Sequence, residues 1–307
     1  MLTSRKYRGY LLALAATVIW SGNFIVARGL KDNIPPVSLS VFRWGTAALV
    51  LLPFAWKGLI ADWPMIRKQL KLLIPISFLG ISVFNTLLYM AAHHTSAVNM
   101  SLIAISGPLF VALLNKFIFR EKFGALRSTG FVVVIAGLLL LITKGDLSAL
   151  TSLRFSKGDL LMAGGAFLFS FYTVLLKLKN PGIRPGSVLL FTFLAGTIML
   201  LPFWGVEMYY YEPELHFNGE TLGQIAYIGI GASLLSYYCW NNAVELIGST
   251  NTSAVYNLLP LFSAIAAAVF LGEKLLPVQA ISGIVILAGL LLITRVRKPS
   301  RSPSPAA

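Results

Sequence analysis

The chain has 307 residues, of which 57% are hydrophobic and only 12% charged, with a formal net charge of +14. A water-soluble domain carries about 25% charged residues, so these numbers exclude an ordinary soluble surface. The basic excess sits in short loops beside apolar blocks, with no basic stripe interleaved with aromatics, which argues against nucleic acid.

The apolar blocks approach the ~20 residues needed to cross a bilayer core. They predict ten spans, at about 8–28, 36–56, 71–92, 96–118, 124–143, 158–178, 185–206, 221–243, 247–271 and 275–294. The first follows Arg5, Lys6 and Arg8 and is too long for a signal-peptide core, so it is expected to be retained. Pro35-Pro36 punctuates the chain before the second span, and Pro181-Gly182 with Pro185-Gly186 before the seventh. Cys239 is the single cysteine; an internal disulfide is excluded and no thiol metal site is expected. The tail 295–307, rich in Arg, Pro and Ser, is expected to be a disordered, basic, cytoplasmic segment.

An internal repeat runs through nearly the whole chain. At an offset of 149, Pro36 matches Pro185, Ser38 matches Ser187, Phe42 matches Phe191, and Pro53-Phe54 match Pro202-Phe203. At an offset of 152, Asn99 matches Asn251, Pro108 matches Pro260, Glu121-Lys122 match Glu273-Lys274, and Ala136-Gly137 match Ala288-Gly289. The change of offset implies a net difference of three residues in the connection between the two blocks. The expected fold is all-α integral membrane, ten transmembrane helices as two inverted five-helix repeats, residues 1–145 and 146–294. An odd number of spans per half makes the second half enter from the opposite side. With both termini cytoplasmic, 18 lysines and arginines flank the cytoplasmic face and six the other, the asymmetry that sets orientation. The loop after span two is basic, whereas its counterpart after span seven offers Glu207, Glu212, Glu214 and Glu220.

Trp20-Ser21-Gly22-Asn23-Phe24, Phe42-Arg43-Trp44, Tyr89 with Ala91-Ala92, Thr95-Ser96-Ala97, Pro108 and Glu121 follow one another in the first half. Trp240-Asn241-Asn242-Ala243, Thr252-Ser253-Ala254, Pro260, Gly272-Glu273-Lys274, Gly283 and Ala288-Gly289 follow in the second. In this order the chain resembles the EamA family of the drug/metabolite transporter superfamily over about residues 8–295. The resemblance implies a ten-helix, inverted-repeat carrier that exports amino acids, metabolites or drugs.

No GxxxxGK[ST] phosphate cradle is present, and His93, His94 and His216 are the three histidines. No enzyme activity, cofactor or metal is expected. Arg43 lies about seven residues into its span, where a charge must face protein or a wet cavity. It is either a contact for a substrate carboxylate or gating ion pair, or a side chain that snorkels or caps helix-end carbonyls. Glu121 and Glu273, at equivalent helix ends and each followed by Lys, are expected to form ion pairs or to anchor loops. Glu245, ending span eight, is a possible gate or coupling residue. No acidic residue falls near the middle of a span, which favours facilitated exchange over proton coupling.

Asn85 and Tyr89 share a helix face, as do Tyr237 and Asn241; the 152 offset pairs Asn85 with Tyr237 and Tyr89 with Asn241. Trp20 with Asn23, Ser170 with Thr173, and Ser253 with Tyr256 and Asn257 form further patches. These twelve residues, Arg43 included, are the candidate substrate-binding set; interhelical hydrogen bonding is the alternative role for the neutral ones. Pro108 and Pro260 are expected to kink their helices. The expected function is secondary transport of small organic solutes across the cytoplasmic membrane, with export of amino acids or related metabolites the first reading. Uptake, or drug or amine export, is the alternative within transport; a membrane-embedded enzyme or a non-transporting receptor stands further off. The expected partners are the solute and the lipid bilayer, with oligomeric state open.

Overall fold

The computed structural model describes residues 2–119, 124–143, 145–146, 156–176 and 178–294. Among these it is all-helical. The first half comprises α1 (Leu2–Gly29), α2 (Pro36–Ile66), α3 (Leu70–Ser77), a π-helical segment (Phe78–Val83), α4 (Phe84–Ala92), α5 (Ala97–Ala104), α6 (Gly107–Phe119) and α7 (Ala125–Ile142). The second comprises α8 (Lys157–Leu176), α9 (Pro185–Tyr211), α10 (Gly219–Ala226), a second π-helical segment (Tyr227–Leu235), α11 (Ser236–Tyr256), α12 (Leu259–Leu271) and α13 (Pro277–Thr294). Five helical stretches, Arg5–Gly29, Pro36–Ala92, Ala97–Ile118, Lys157–Leu176 and Pro185–Tyr211, are long and apolar enough to cross a bilayer. Ser128–Leu141, Leu259–Leu271 and Pro277–Leu292 are shorter apolar helices. The stretch Pro36–Ala92 is interrupted by a 3₁₀ turn at Arg67–Gln69.

The starts of α3 and α10 are 149 residues apart, and so are the starts of the two π segments; the starts of α4 and α11 are 152 apart. The three extra residues therefore lie inside the second π segment, nine residues against six. The sequence suggested a connection; a helix absorbs them instead, by widening its turns to i→i−5 bonding. Ser233 Oγ donates to Ile228 O at 2.9 Å and Ser236 Oγ to Gly231 O at 3.0 Å, both five residues back.

Pro108 and Pro260 are the second residues of α6 and α12. Helical turns stop at Ala104 and Tyr256 and resume at Gly107 and Leu259. Each proline thus opens a new helix, where a missing N–H costs little, and the bend comes just before it. Gly248, at φ +79°, separates the two arms of α11.

Helices α2 and α9 pack antiparallel and cap each other. Glu207 accepts from Val37 N (2.9 Å), Ser38 N (2.7 Å) and Ser38 Oγ (2.7 Å) at the start of α2. Asp62 accepts from Arg184 N (3.0 Å) and Ser187 Oγ (2.7 Å) at the start of α9. A carboxylate at a helix N-terminus meets orphan N–H groups and the positive dipole end, which gives the Ser38/Ser187 match a physical reason. Glu207 is not a loop charge as the sequence suggested: α9 runs five residues beyond the expected 206, and Glu207 is buried in its last turns.

Glu273 also acts as an anchor, accepting from Ala97 N at the start of α5 at 3.3 Å. Its counterpart Glu121 and the tail 295–307 lie outside the described residues. Helices α7 and α13 meet at small residues: a Cβ at Gly137 would stand 2.8 Å from Ile286, and one at Gly289 2.8 Å from Val134 N. Outward faces carry the exposed side chains Phe54, Val132, Val269, Phe270 and Ile284, an apolar surface that suits lipid.

Candidate functional site

Two turns into α2, Arg43 is buried to 1% exposure. Its Nε donates to Ser233 Oγ at 2.6 Å, Nη1 to Asn23 Oδ1 at 2.7 Å and to Tyr89 Oη at 3.0 Å, and Nη2 to Ala232 O at 3.0 Å. The guanidinium carbon stands 4.9 Å from the Trp44 ring centroid. Every one of these partners is neutral, and among the described residues no carboxylate pairs with Arg43. A buried charge left without an opposite charge costs on the order of several kcal/mol, and neutral hydrogen bonds recover only part of it. The side chain does not snorkel to the surface; it meets one backbone carbonyl, Ala232 O, and three side chains.

The π segments supply what holds the centre. Ala232 O accepts both from Arg43 and from Trp20 Nε1, the latter at 2.8 Å. Tyr237 Oη points at Gly80 O, in the first π segment, at 3.4 Å. Each π segment thus offers a carbonyl to a side chain of the other half. Glycines at equivalent positions allow this approach: a Cβ at Gly80 would collide with the Tyr172 ring, and one at Gly229 would lie 2.6 Å from Thr46 Cβ.

Trp20, Asn23, Arg43, Asn85, Tyr237 and Tyr256 line one small central pocket of ≈ 20 Å³, room for about one water. Tyr89 joins it through Arg43. Asn85 is wholly buried, and neither end of its amide makes a hydrogen bond of ordinary geometry, although the Tyr237 hydroxyl is close enough to interact. An unsatisfied buried amide costs about 1–3 kcal/mol, and the adjoining pocket leaves room for one small polar group to meet it. A second small pocket, ≈ 30 Å³, adjoins the first and includes Ser170 and Thr173. Their hydroxyls are already used: Ser170 Oγ donates to Ala166 O at 2.7 Å and Thr173 Oγ1 to Phe169 O at 2.9 Å.

Aromatic rings separate the centre from a larger cavity. Trp20 lies 5.6 Å from Tyr237, 5.1 Å from Trp240 and 5.8 Å from Tyr256, centroid to centroid. Beyond Trp240 opens a cavity of ≈ 370 Å³ that includes Thr173, Lys179, Asn241, Asn242 and Glu245. Lys179, in the loop after α8, is half-buried; burial lowers its pKa, and the Glu245 charge opposes that shift.

The expected pairing of Asn85/Tyr89 with Tyr237/Asn241 is thus met unevenly. Asn85 and Tyr237 come together, whereas Tyr89 serves Arg43 at the centre and Asn241 faces the outer cavity. Asn257 is buried with Oδ1 unpartnered, outside these three spaces. The Ser253 side chain lies outside the described residues. Glu245 is exposed and lines the outer cavity, three residues before the Gly248 break in α11. Sequence reasoning missed Ser233, Ala232 O, Phe84, Phe169 and Lys179. The shift of offset from 149 to 152 was the available signal for the π segment that carries the first two.

The chain is 30% identical to an uncharacterized transporter of Archaeoglobus fulgidus over 287 residues, 93% of this chain and 96% of that protein. It is 25% identical to a probable terminal-alkyne amino-acid exporter of Streptantibioticus cattleyicolor, covering 92% of each. A solved crystal structure shares the fold, with a TM-score of 0.63 at 18% identity over 92% of this chain and 95% of that one. The sequence profile of the EamA-like transporter family matches residues 7–143 and 156–295. With two matched repeats that together span nearly the whole chain, this multi-pass membrane protein belongs to the EamA-like transporter family.

Proposed function

We propose that the chain is a secondary carrier that exports amino acids or related small metabolites across the cytoplasmic membrane by alternating access. Ten spans form two inverted five-span repeats. Spans three and eight are the α3–π–α4 and α10–π–α11 rods, and the bends before Pro108 and Pro260 break spans four and nine. Both termini are cytoplasmic, in keeping with the basic flanks on that side. The ≈ 370 Å³ cavity, beside Lys179, then opens to the cytoplasm, where an exported solute starts. At the opposite end Arg28 Nη1 donates to Ala92 O and ties α1 to α4.

The observation that carries this reading is the Arg43 guanidinium, buried among neutral acceptors and beside the unpartnered Asn85 amide. A solute carboxylate entering the centre supplies the missing opposite charge, and Asn85 orients it. Trp20, Tyr237 and Tyr256 form the apolar walls, the composition that small-molecule sites favour. The centre is nearly filled, so the aromatic rings must part for the solute to reach it. The relative named as an amino-acid exporter is in keeping with this substrate class. The absence of acidic residues at mid-span favours exchange or downhill flux over proton coupling.

Proteoliposome counterflow with a panel of amino acids, amines and nucleobases, with and without a pH gradient, tests the proposal. Saturable amino-acid flux independent of the gradient is expected. Absence of flux for every amino acid overturns the substrate class, and strict dependence on the gradient overturns the uncoupled mechanism.

A further inference from the structure

The outer cavity carries more chemistry than a passage needs. Its wall combines Trp240 with aliphatic side chains, and its polar groups are Lys179, Glu245, Asn241, Asn242 and Thr173. A volume of ≈ 370 Å³ falls in the range of about 300–1,000 Å³ typical of small-molecule sites. Lys179 and Glu245 face this one space with opposite charges, yet they form no ion pair within 4.0 Å. Lys179 makes one long hydrogen bond, to Ile183 O at 3.4 Å.

Resting on the exporter reading above, we infer that this cavity is a capture site for zwitterionic α-amino acids, distinct from the Arg43 centre. Lys179 receives the carboxylate, Glu245 the ammonium, and Trp240 the side chain. Burial weakens Lys179 as a cation and Glu245 alone offsets it, so an arriving carboxylate restores what the ammonium lost in hydration. The two charges held apart select a ligand that carries both signs on one carbon. A simple amine or a simple carboxylate satisfies one and leaves the other. The Trp20, Trp240 and Tyr256 rings stand between this site and the centre, so capture precedes transfer to Arg43.

The test uses the full chain in proteoliposomes and the neutral L-amino acid that gives the largest counterflow, with its amide and its N-acetyl derivative. Lys179→Gln is expected to raise half-saturation about tenfold for the amino acid and the N-acetyl derivative and to leave the amide unchanged. Glu245→Gln is expected to do the reverse, weakening the amino acid and the amide. Maximal flux at saturation stays near wild type in both, because the centre is intact, and Lys179→Arg retains most of the affinity. Elution as a monodisperse peak checks folding, and the charge-swapped pair Lys179→Glu with Glu245→Lys serves if either single variant fails it. Unchanged half-saturation in folded variants overturns the capture site while leaving the exporter reading in place. Absence of flux for every neutral amino acid in the wild type overturns both.

Discussion

The Arg43 centre and the Lys179–Glu245 cavity treat charge in opposite ways. At the centre one cation is 1% exposed, bonded to four neutral acceptors, with ≈ 20 Å³ beside it. In the outer cavity a cation and an anion share ≈ 370 Å³ without touching. An unscreened charge in a dry site attracts an opposite charge strongly but is closed to it; wet charges are reachable but weak. A carrier that must collect a solute and then hold it in a gated centre uses both environments in series.

The sharpest way to break this comparison is Arg43→Gln. Removing one member of a buried, desolvated charge contact costs about 2–5 kcal/mol, so flux of carboxylate-bearing solutes is expected to fall at least ~30-fold. Loss should appear in proteoliposome assays on monodisperse protein. Near-normal flux would make Arg43 a structural residue and leave the outer cavity as the sole binding site.

Gly80→Val probes the packing that holds the centre together. The new side chain collides with Tyr172, and overpacking of this kind costs about 1–3 kcal/mol, read as a lower melting temperature in detergent. Gly205→Ala, with open space around it, is the matched control and should melt as wild type does.

Asn85→Leu sharpens the difference between the two sites. Replacing an unpartnered buried amide removes its desolvation penalty, so this variant should be as stable as wild type or up to about 1–2 kcal/mol more stable, yet transport poorly. Asn241→Ala, in the open cavity, should leave stability unchanged and weaken flux only mildly. A destabilised Asn85→Leu would instead identify that amide as interhelical glue.

Asp62→Asn tests whether the frame around both sites is pinned at its ends. The Ser187 hydrogen bond foremost, then the Arg184 N–H and charge, hold the Asp62 carboxyl below the ordinary carboxylate range despite burial. A depressed folded pKa gives stability that is fully present above the unfolded value of about 3.9 and lost as pH falls through the folded one. The wild type should therefore lose this contribution only below about pH 4. Asp62→Asn should cost about 0.5–2 kcal/mol at neutral pH and show a weaker acid dependence. An unchanged acid profile would mean that the α2–α9 clamp contributes little.

Much of the frame was legible because apolar blocks, prolines and charge asymmetry are local or additive signals. Ser38 and Ser187 kept one register because both start helices that a carboxylate caps. Pro108 and Pro260 kept theirs because both open a helix after a break. The candidate site was legible in part. Polar residues facing inward from apolar helices announce themselves, so Trp20, Asn23, Arg43, Asn85, Tyr237 and Tyr256 were found before their pocket was seen. Which of them share a space was not legible. Ser170 spends its hydroxyl on Ala166 O and Gly107 O and Thr173 spends its own on Phe169 O, and Asn241 belongs to the outer cavity and not to the centre.

The sequence by itself determined an EamA-type membrane protein, the doubling of its unit and the presence of one cation inside the apolar region. Hydrophobic length, repeat spacing and the cost of a buried charge need no neighbours to be read. Tertiary structure alone decided what surrounds that cation. Ser233 and the carbonyl of Ala232 reach Arg43 from 190 and 189 positions away, both from the second π-helical segment. It also decided that Lys179 and Glu245 face one cavity without pairing. Distance in space between residues on different helices follows from packing, and packing is a property of all the helices at once.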